Sequence, residues 1–131
     1  MPLPSQKILQ PGCIGKLEIP NRIVKSAVAS SLANIDGSVS ERLLSHYRET
    51  AKGGSGLVVV ESAYIDCIAS KSFHSQLSIA GDDYIPGLSL LARTIQETGA
   101  KAGIQIGHGG NHKLVRNHTI KSASDVSWPH L

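Results

Sequence analysis

The chain has 131 residues, 40% of them hydrophobic and 4% aromatic, with a formal net charge of +3. That length supports one hydrophobic core and not two. Scarce aromatics and singly scattered basic residues argue against a nucleic-acid surface, which needs stacking platforms or a contiguous basic patch.

No apolar run reaches the ~18 residues that cross a bilayer, so no membrane partner is expected. The opening, Met1 to Lys7, lacks the apolar centre of a signal peptide. Cys13 and Cys67 fit no metal or redox spacing, and two lone cysteines without an export signal are expected as free thiols in a cytoplasmic protein.

Residues 1 to 11 are Pro-rich and polar and read as an arm. Cys13 to Ile19 predicts a short strand, Pro20-Asn21 a turn, and Arg22 to Val28 a second strand, together a hairpin ahead of the main sheet. Ser30 to Val39 reads as a loop through Asp36-Gly37. A helix comes next, with Ser38 and Glu41 at capping-box spacing and Ser40 as a competing N-cap. Leu43, Leu44, Tyr47 and Ala51 mark its buried face, and Gly53-Gly54 ends it.

Gly56 to Val60 is a continuous β-branched run without polar alternation, the pattern of a parallel strand buried on both faces. It is expected to end at Glu61-Ser62. Residues 63 to 85 are weakly patterned, but a stretch that long predicts local structure. Pro86 suits the first turn of a second helix reaching about Thr98, with Leu88, Leu90, Leu91 and Ile95 as apolar positions and Gly99 behind it. Lys101 to Gly107 reads as the next strand, and the tail beyond His108 is polar.

Strands separated by helices require right-handed βαβ crossovers and a parallel sheet, an α/β fold. Ligands gather at the carboxyl ends of such strands. Three polar sets fall there: Ser26 to Ser30, Glu61-Ser62, and Gln105 to Asn111. Gln105 offers two donors and an acceptor, which suits the amide and imide edge of a flat heterocycle, and the glycines around His108 let backbone approach a ligand.

Other groups have plainer readings. Glu61 is expected to accept hydrogen bonds from neighbouring amides. Gly53 to Gly56 leads from helix into strand, the reverse of a phosphate loop, and is read as a terminator. Lys25 is expected to face solvent or to be paired. His108, His112 and His118 raise a small metal-binding module as an alternative. Gly109-Gly110 breaks the helix that would align them and no carboxylate is near, so no metal site is assigned. His108 is read as fixing the turn.

Pro11 to Val24 resembles the opening of the Old Yellow Enzyme family of FMN-dependent oxidoreductases. The resemblance continues in order through Asp36-Gly37, His46-Tyr47, Gly53 to Glu61, and Gly103 to His108. It implies a (β/α)₈ barrel with FMN across its carboxyl face. It further implies hydride transfer from NADH or NADPH, through the flavin, to a small-molecule acceptor such as an activated alkene or enone. By position, Ser26, Ala27, Val28 and Ala29 match the end of the first barrel strand, whose backbone meets the flavin. Ser62 matches the small residue near the flavin's polar edge, and Gln105 the glutamine bonded to the pyrimidine portion of the ring.

Two positions depart from the family. Ala29 stands where many members place a Thr or Cys that tunes the flavin's potential, and Asn111 stands where an arginine is usual. A barrel of this type takes ~250 residues, so residues 1 to 131 are expected to form one incomplete domain: a hairpin and roughly the first three βα units. The family's catalytic residues would lie beyond them. The alternative is a non-catalytic fragment with no independent activity, whose exposed sheet edge favours self-association.

Overall fold

A computed structural model describes residues 4–110. A 3₁₀ turn at Pro4–Leu9 gives the arm local order, and the Arg22 amide donates to the Ile8 carbonyl at 2.8 Å, tying the arm to the chain beyond the hairpin. The hairpin lies wholly within residues 12 to 19: β1 (Gly12–Ile14) pairs antiparallel with β2 (Leu17–Ile19), with Ile14 opposite Leu17. Gly15 and Lys16 form the two-residue turn. Gly15 has φ 59°, the positive value that a type II′ turn requires at its first central position. The expected pairing of residues 13–19 with 22–28 is therefore corrected. The reversal occurs at the glycine, and Pro20-Asn21 only redirects the chain.

Strand β3 (Val24–Lys25) is two residues long and parallel to the strand after it. Helix α1 (Glu41–Lys52) then begins at Ser40, whose hydroxyl accepts the Leu43 amide at 3.0 Å. Ser38 is not the cap. Its amide donates to Asp36 Oδ1 at 2.9 Å in a local turn that competes with capping. Leu43, Leu44, Tyr47 and Ala51 are all buried. Gly53 caps the helix, and Gly54, at φ 88°, turns the chain toward the sheet.

Strand β4 (Leu57–Tyr64) runs past the expected end at Ser62. It is the central strand of a parallel sheet ordered β3, β4, β5, with β5 at Lys101–Gly107. Its register is irregular at one point. Val60 pairs with Ile104 and Ser62 pairs with Gln105, leaving Glu61 as an extra residue, a β-bulge. The weakly patterned segment after β4 folds back on it. The Tyr64 amide donates to the Leu77 carbonyl, the Ile79 amide donates to the Tyr64 carbonyl, and Tyr64 and Ser78 form a parallel bridge.

Helix α2 (Ile85–Gln96) has proline in its first turn and is preceded by a short 3₁₀ turn at Asp82–Tyr84. Leu91, Thr94 and Ile95 are buried, whereas Leu90 is 43% exposed, so it is not a core position. Both helices pack on one face of the sheet. Leu43, Leu44, Tyr47 and Ala51 of α1 and Leu91 and Ile95 of α2 share one cluster with Val58, Val60 and Ala63 of β4. On the opposite face Leu57 and Tyr64 are buried at the two ends of β4, whereas Val59 and Ser62 between them are only half-buried, so the middle of that face is open among the described residues.

Lys25 is neither solvent-facing nor ion-paired. Its ammonium lies 5.0 Å from the Tyr47 ring centroid, a cation–π arrangement, and its Nζ is buried without a hydrogen-bond partner among the described residues. Burial pushes its pKa down, and the Glu61 carboxylate acts in the opposite sense. The Tyr47 hydroxyl in turn accepts the Glu61 amide at 2.7 Å.

Tyr47→Phe should leave that buried amide unpaired and lower the unfolding free energy by about 1–3 kcal/mol, read by urea denaturation. The Tyr47 hydroxyl is pushed up to about 12, first by burial, from the ordinary value of 10.0. A phenol whose pKa is raised by folding stabilises fully below the unfolded value, and that contribution is lost as pH rises through the folded one. Wild-type stability should therefore fall between pH 10 and about 12, and the decline should be shallower in Tyr47→Phe.

Candidate functional site

Parallel pairing brings the carboxyl ends of β3, β4 and β5 to one end of the sheet. Ser62 and Gln105 are ladder partners there, so their side chains leave the sheet on the same face. Ala63 and its partner Ile106 take the other face, and Ala63 belongs to the helix-packed core. Ser62 and Gln105 thus stand on the face turned away from α1 and α2. Gln105 is exposed and Ser62 half-buried.

Two of the neighbours on that face are glycines. Gly103 pairs with Val59 and Gly107 with Tyr64. A Cβ built at Gly107 would overlap Ser62 Oγ, so glycine at 107 is what lets the Ser62 hydroxyl occupy its place beside Gln105.

Ser26, Val28 and Ala29 are exposed and Ala27 half-buried, in a segment without regular secondary structure that leaves the ladder after Lys25. The segment is bonded back to β4 at Ser30, whose amide donates to Glu61 Oε2 at 2.9 Å and whose hydroxyl donates to the same oxygen. Residues 26–29, Ser62 and Gln105 therefore lie along three adjacent strand ends. Glu61 is an acceptor for a neighbouring amide, as its sequence context suggests, and it is completely buried.

Gln76 had no signal in the sequence, since it lies in the weakly patterned segment. It is buried, accepts the Ser72 amide at 2.7 Å and donates to the Ser62 carbonyl at 3.0 Å. It therefore fixes the backbone of Ser62 from the carboxyl side. Tyr47 was legible only as a core residue, because nothing in a helical apolar pattern shows that its hydroxyl reaches a strand 14 residues away.

The Nδ1 of His108 accepts the Gly110 amide at 3.1 Å, and the Gly109 amide donates to the Ser70 carbonyl at 2.9 Å, so this turn is held locally. His112, His118 and Asn111 lie outside the described residues. Among the described residues no group of three or more His, Cys, Asp or Glu side chains is placed to hold a metal ion, and no helix is long and apolar enough to cross a membrane. Cys13 and Cys67 are both exposed free thiols. A depression lined by Leu32, Arg42, His46 and Glu49 runs beside α1 and includes none of the strand-end residues.

The sequence profile of the NADH:flavin oxidoreductase / NADH oxidase family matches residues 7–128. An NADH oxidase of Thermoanaerobacter brockii is 43% identical over 99 residues, 76% of this chain and 15% of that protein. An NADPH dehydrogenase of Listeria welshimeri is 36% identical over 111 residues, 84% of this chain and 32% of that protein. Among solved structures, a 2-naphthoyl-CoA reductase in complex with 2-naphthoyl-CoA superposes with a TM-score of 0.79 at 30% identity, covering 82% of this chain and 16% of that one. An Old Yellow Enzyme from a Pichia species gives 0.75 at 19% identity over 82% of this chain and 28% of its own, a likeness of fold. The chain spans no more than 32% of the length of any of these four. Its hairpin and three parallel strands correspond to the N-terminal part of a (β/α)₈ barrel.

Gly107→Ala should cost no more than about 1.5 kcal/mol, because the overlapping Ser62 Oγ can rotate away about its own side-chain bond. Adding Ser62→Ala should recover most of that loss, because the overlap is with the hydroxyl oxygen and the Ser62 Cβ would be 3.5 Å away. A double-mutant cycle by chemical denaturation measures the coupling.

Proposed function

The chain belongs to the NADH:flavin oxidoreductase / NADH oxidase family, and on that premise we propose that it is the N-terminal portion of an FMN-dependent oxidoreductase of the ene-reductase type. The reaction would carry a hydride from NADH or NADPH to an activated alkene, enone or similar small acceptor. The observation that carries this reading is the ladder pairing of Ser62 with Gln105 beside the exposed 26–29 segment. It sets an amide, a hydroxyl and a length of backbone outside the ladder at one end of a parallel sheet.

These residues fit a flavin. An exposed Gln105 amide can donate to and accept from the pyrimidine edge of the ring. The Ser62 hydroxyl adds a donor and acceptor alongside, and glycines at 103 and 107 keep the surface between them low enough for close approach. Ser26, Ala27, Val28 and Ala29 would lie along the ring through their backbone. Ala29 has no side-chain donor, so any tuning of the ring from this position falls to main-chain groups. When bound, FMN supplies the hydride-transfer chemistry itself, and the protein supplies binding, orientation and electrostatics.

A second reading concerns residues 1 to 131 by themselves. Among the described residues β5 has no strand partner beyond β4, and Ile104 and Ile106 are 37% and 67% exposed. An open edge flanked by apolar side chains favours pairing with another chain. Alone, these residues would form a non-catalytic unit that self-associates.

The full-length gene product should gain flavin absorbance in the visible when purified or when FMN is added, and Gln105→Ala should weaken FMN binding about tenfold, the loss of one buried hydrogen bond. A protein that stays colourless in excess FMN would sink the flavin reading. Residues 1 to 131 expressed alone should elute from a sizing column as dimers or larger species, and a sharp monomer peak would count against the second reading.

A further inference from the structure

Among the described residues Glu61 is the one fully buried acid, and it is also the residue that the β4 bulge takes out of the ladder. A buried carboxylate is costly unless hydrogen-bonded and charge-compensated, so its surroundings show what holds it there. Its amide donates to Tyr47 Oη at 2.7 Å. Its Oε2 accepts the Ser30 amide at 2.9 Å and the Ser30 hydroxyl. Its Oε1 is buried with no hydrogen-bond partner among the described residues. The Lys25 ammonium, itself buried over the Tyr47 ring, is near enough for the two charges to act on one another, though not within ion-pair distance.

We propose that Glu61 is a positioning residue: its carboxylate fixes Ser30, and through it the 26–29 backbone, beside Ser62 and Gln105. That this backbone meets a flavin rests on the reading given under Proposed function; the hold on Ser30 does not. Two independent features of β3 and β4 support this role.

The first is the length of β3. A two-residue strand releases the chain at Lys25, and the exposed segment beyond it includes Val28, 61% exposed. Five residues after Lys25, Ser30 is bonded to β4 by both its amide and its hydroxyl, and both bonds end on one carboxylate oxygen. A charged acceptor makes such bonds shorter and stronger than a neutral one would. The segment is thus held at both ends, by the ladder at Lys25 and by Glu61 at Ser30.

The second is the bulge. One extra residue in β4 reverses the facing of everything after it. With Glu61 in the ladder, the next position would turn toward the helices. With Glu61 displaced, Ser62 pairs with Gln105 on the open face. The same residue therefore aims one wall of the site with its backbone and holds the adjacent wall with its side chain. Tyr47, by accepting the displaced amide, keeps the bulge in place.

The test uses the full-length protein with Glu61→Ala, Glu61→Gln and Ser30→Ala. Amide hydrogen exchange across residues 26–32, measured without flavin, reads the hold directly. It should be at least about tenfold faster in Glu61→Ala, consistent with loss of a hydrogen-bonded charge. Glu61→Gln, which retains an acceptor, should stay much closer to wild type. Ser30→Ala removes one of the two bonds and should fall between them. It also carries the comparison if Glu61→Ala does not fold. FMN dissociation constants and the visible spectrum of the bound flavin read the consequence. Binding should weaken about tenfold in Glu61→Ala with a shifted absorption maximum, and Glu61→Gln should restore most of both.

Unchanged exchange in both Glu61→Ala and Ser30→Ala would overturn the proposal. So would faster exchange with unaltered FMN affinity and spectrum. A wild-type protein that binds no FMN would remove the flavin reading alone, and the exchange comparison would still decide whether Glu61 holds Ser30.

Discussion

The bond from the Glu61 amide to the Tyr47 hydroxyl is the interaction on which the rest of this structure turns. A bulge in a parallel strand leaves an amide without a ladder partner, and a buried unpaired amide is expensive. Tyr47 supplies the missing acceptor from the middle of α1, so the irregularity in β4 is stabilised by the same helix that covers the sheet. Because the bulge persists, Ser62 faces Gln105. Without it the two would project to opposite sides of the sheet, and no polar pair would stand at the strand ends.

Placing both helices on one face divides the sheet into two chemistries. The covered face carries Val58, Val60 and Ala63 against Leu43, Tyr47, Leu91 and Ile95, a packed hydrocarbon core. The other carries Val59, Ser62, Gly103, Gln105 and Gly107, smaller or polar and at least partly exposed, between the buried Leu57 and Tyr64. In a (β/α)₈ barrel the second face looks into the barrel, where side chains from the remaining strands complete the layers. The exposure of β5 results from the same geometry, since a sheet of three strands has an edge that a closed barrel lacks.

The polar groups that position this face are mostly at one remove from it. Gln76 holds the Ser62 carbonyl, Glu61 holds Ser30, and Tyr47 holds Glu61. The burial of Gln76, Glu61 and Tyr47 is consistent with that role, since a buried hydrogen bond has little competition from water and restricts the groups it joins. Lys25 belongs to the same set by charge. Its ammonium sits over the Tyr47 ring and is influenced by Glu61, though the two are not in ion-pair contact.

Much of this was legible in the residues alone. The two helices, the parallel strands, the buried face of α1 and the bounds of β5 arise from local periodicity and from glycines that terminate elements, because those signals act within a few residues. The strand-end groups were also visible, since the order of strands and helices dictates a parallel sheet and hence which ends come together. The features that the sequence did not determine depend on partners distant along the chain. Ser38 and Ser40 are equivalent as caps until Asp36 claims one of them. The hairpin closes at Gly15 because that residue adopts positive φ, and the stronger-looking Pro20-Asn21 signal is spent on a bend. β4 runs to Tyr64 because Leu77 and Ile79 pair with it. The bulge at Glu61 and the burial of Lys25 have no local signature, because both exist only where Tyr47, Ser30 and the β5 register meet in space.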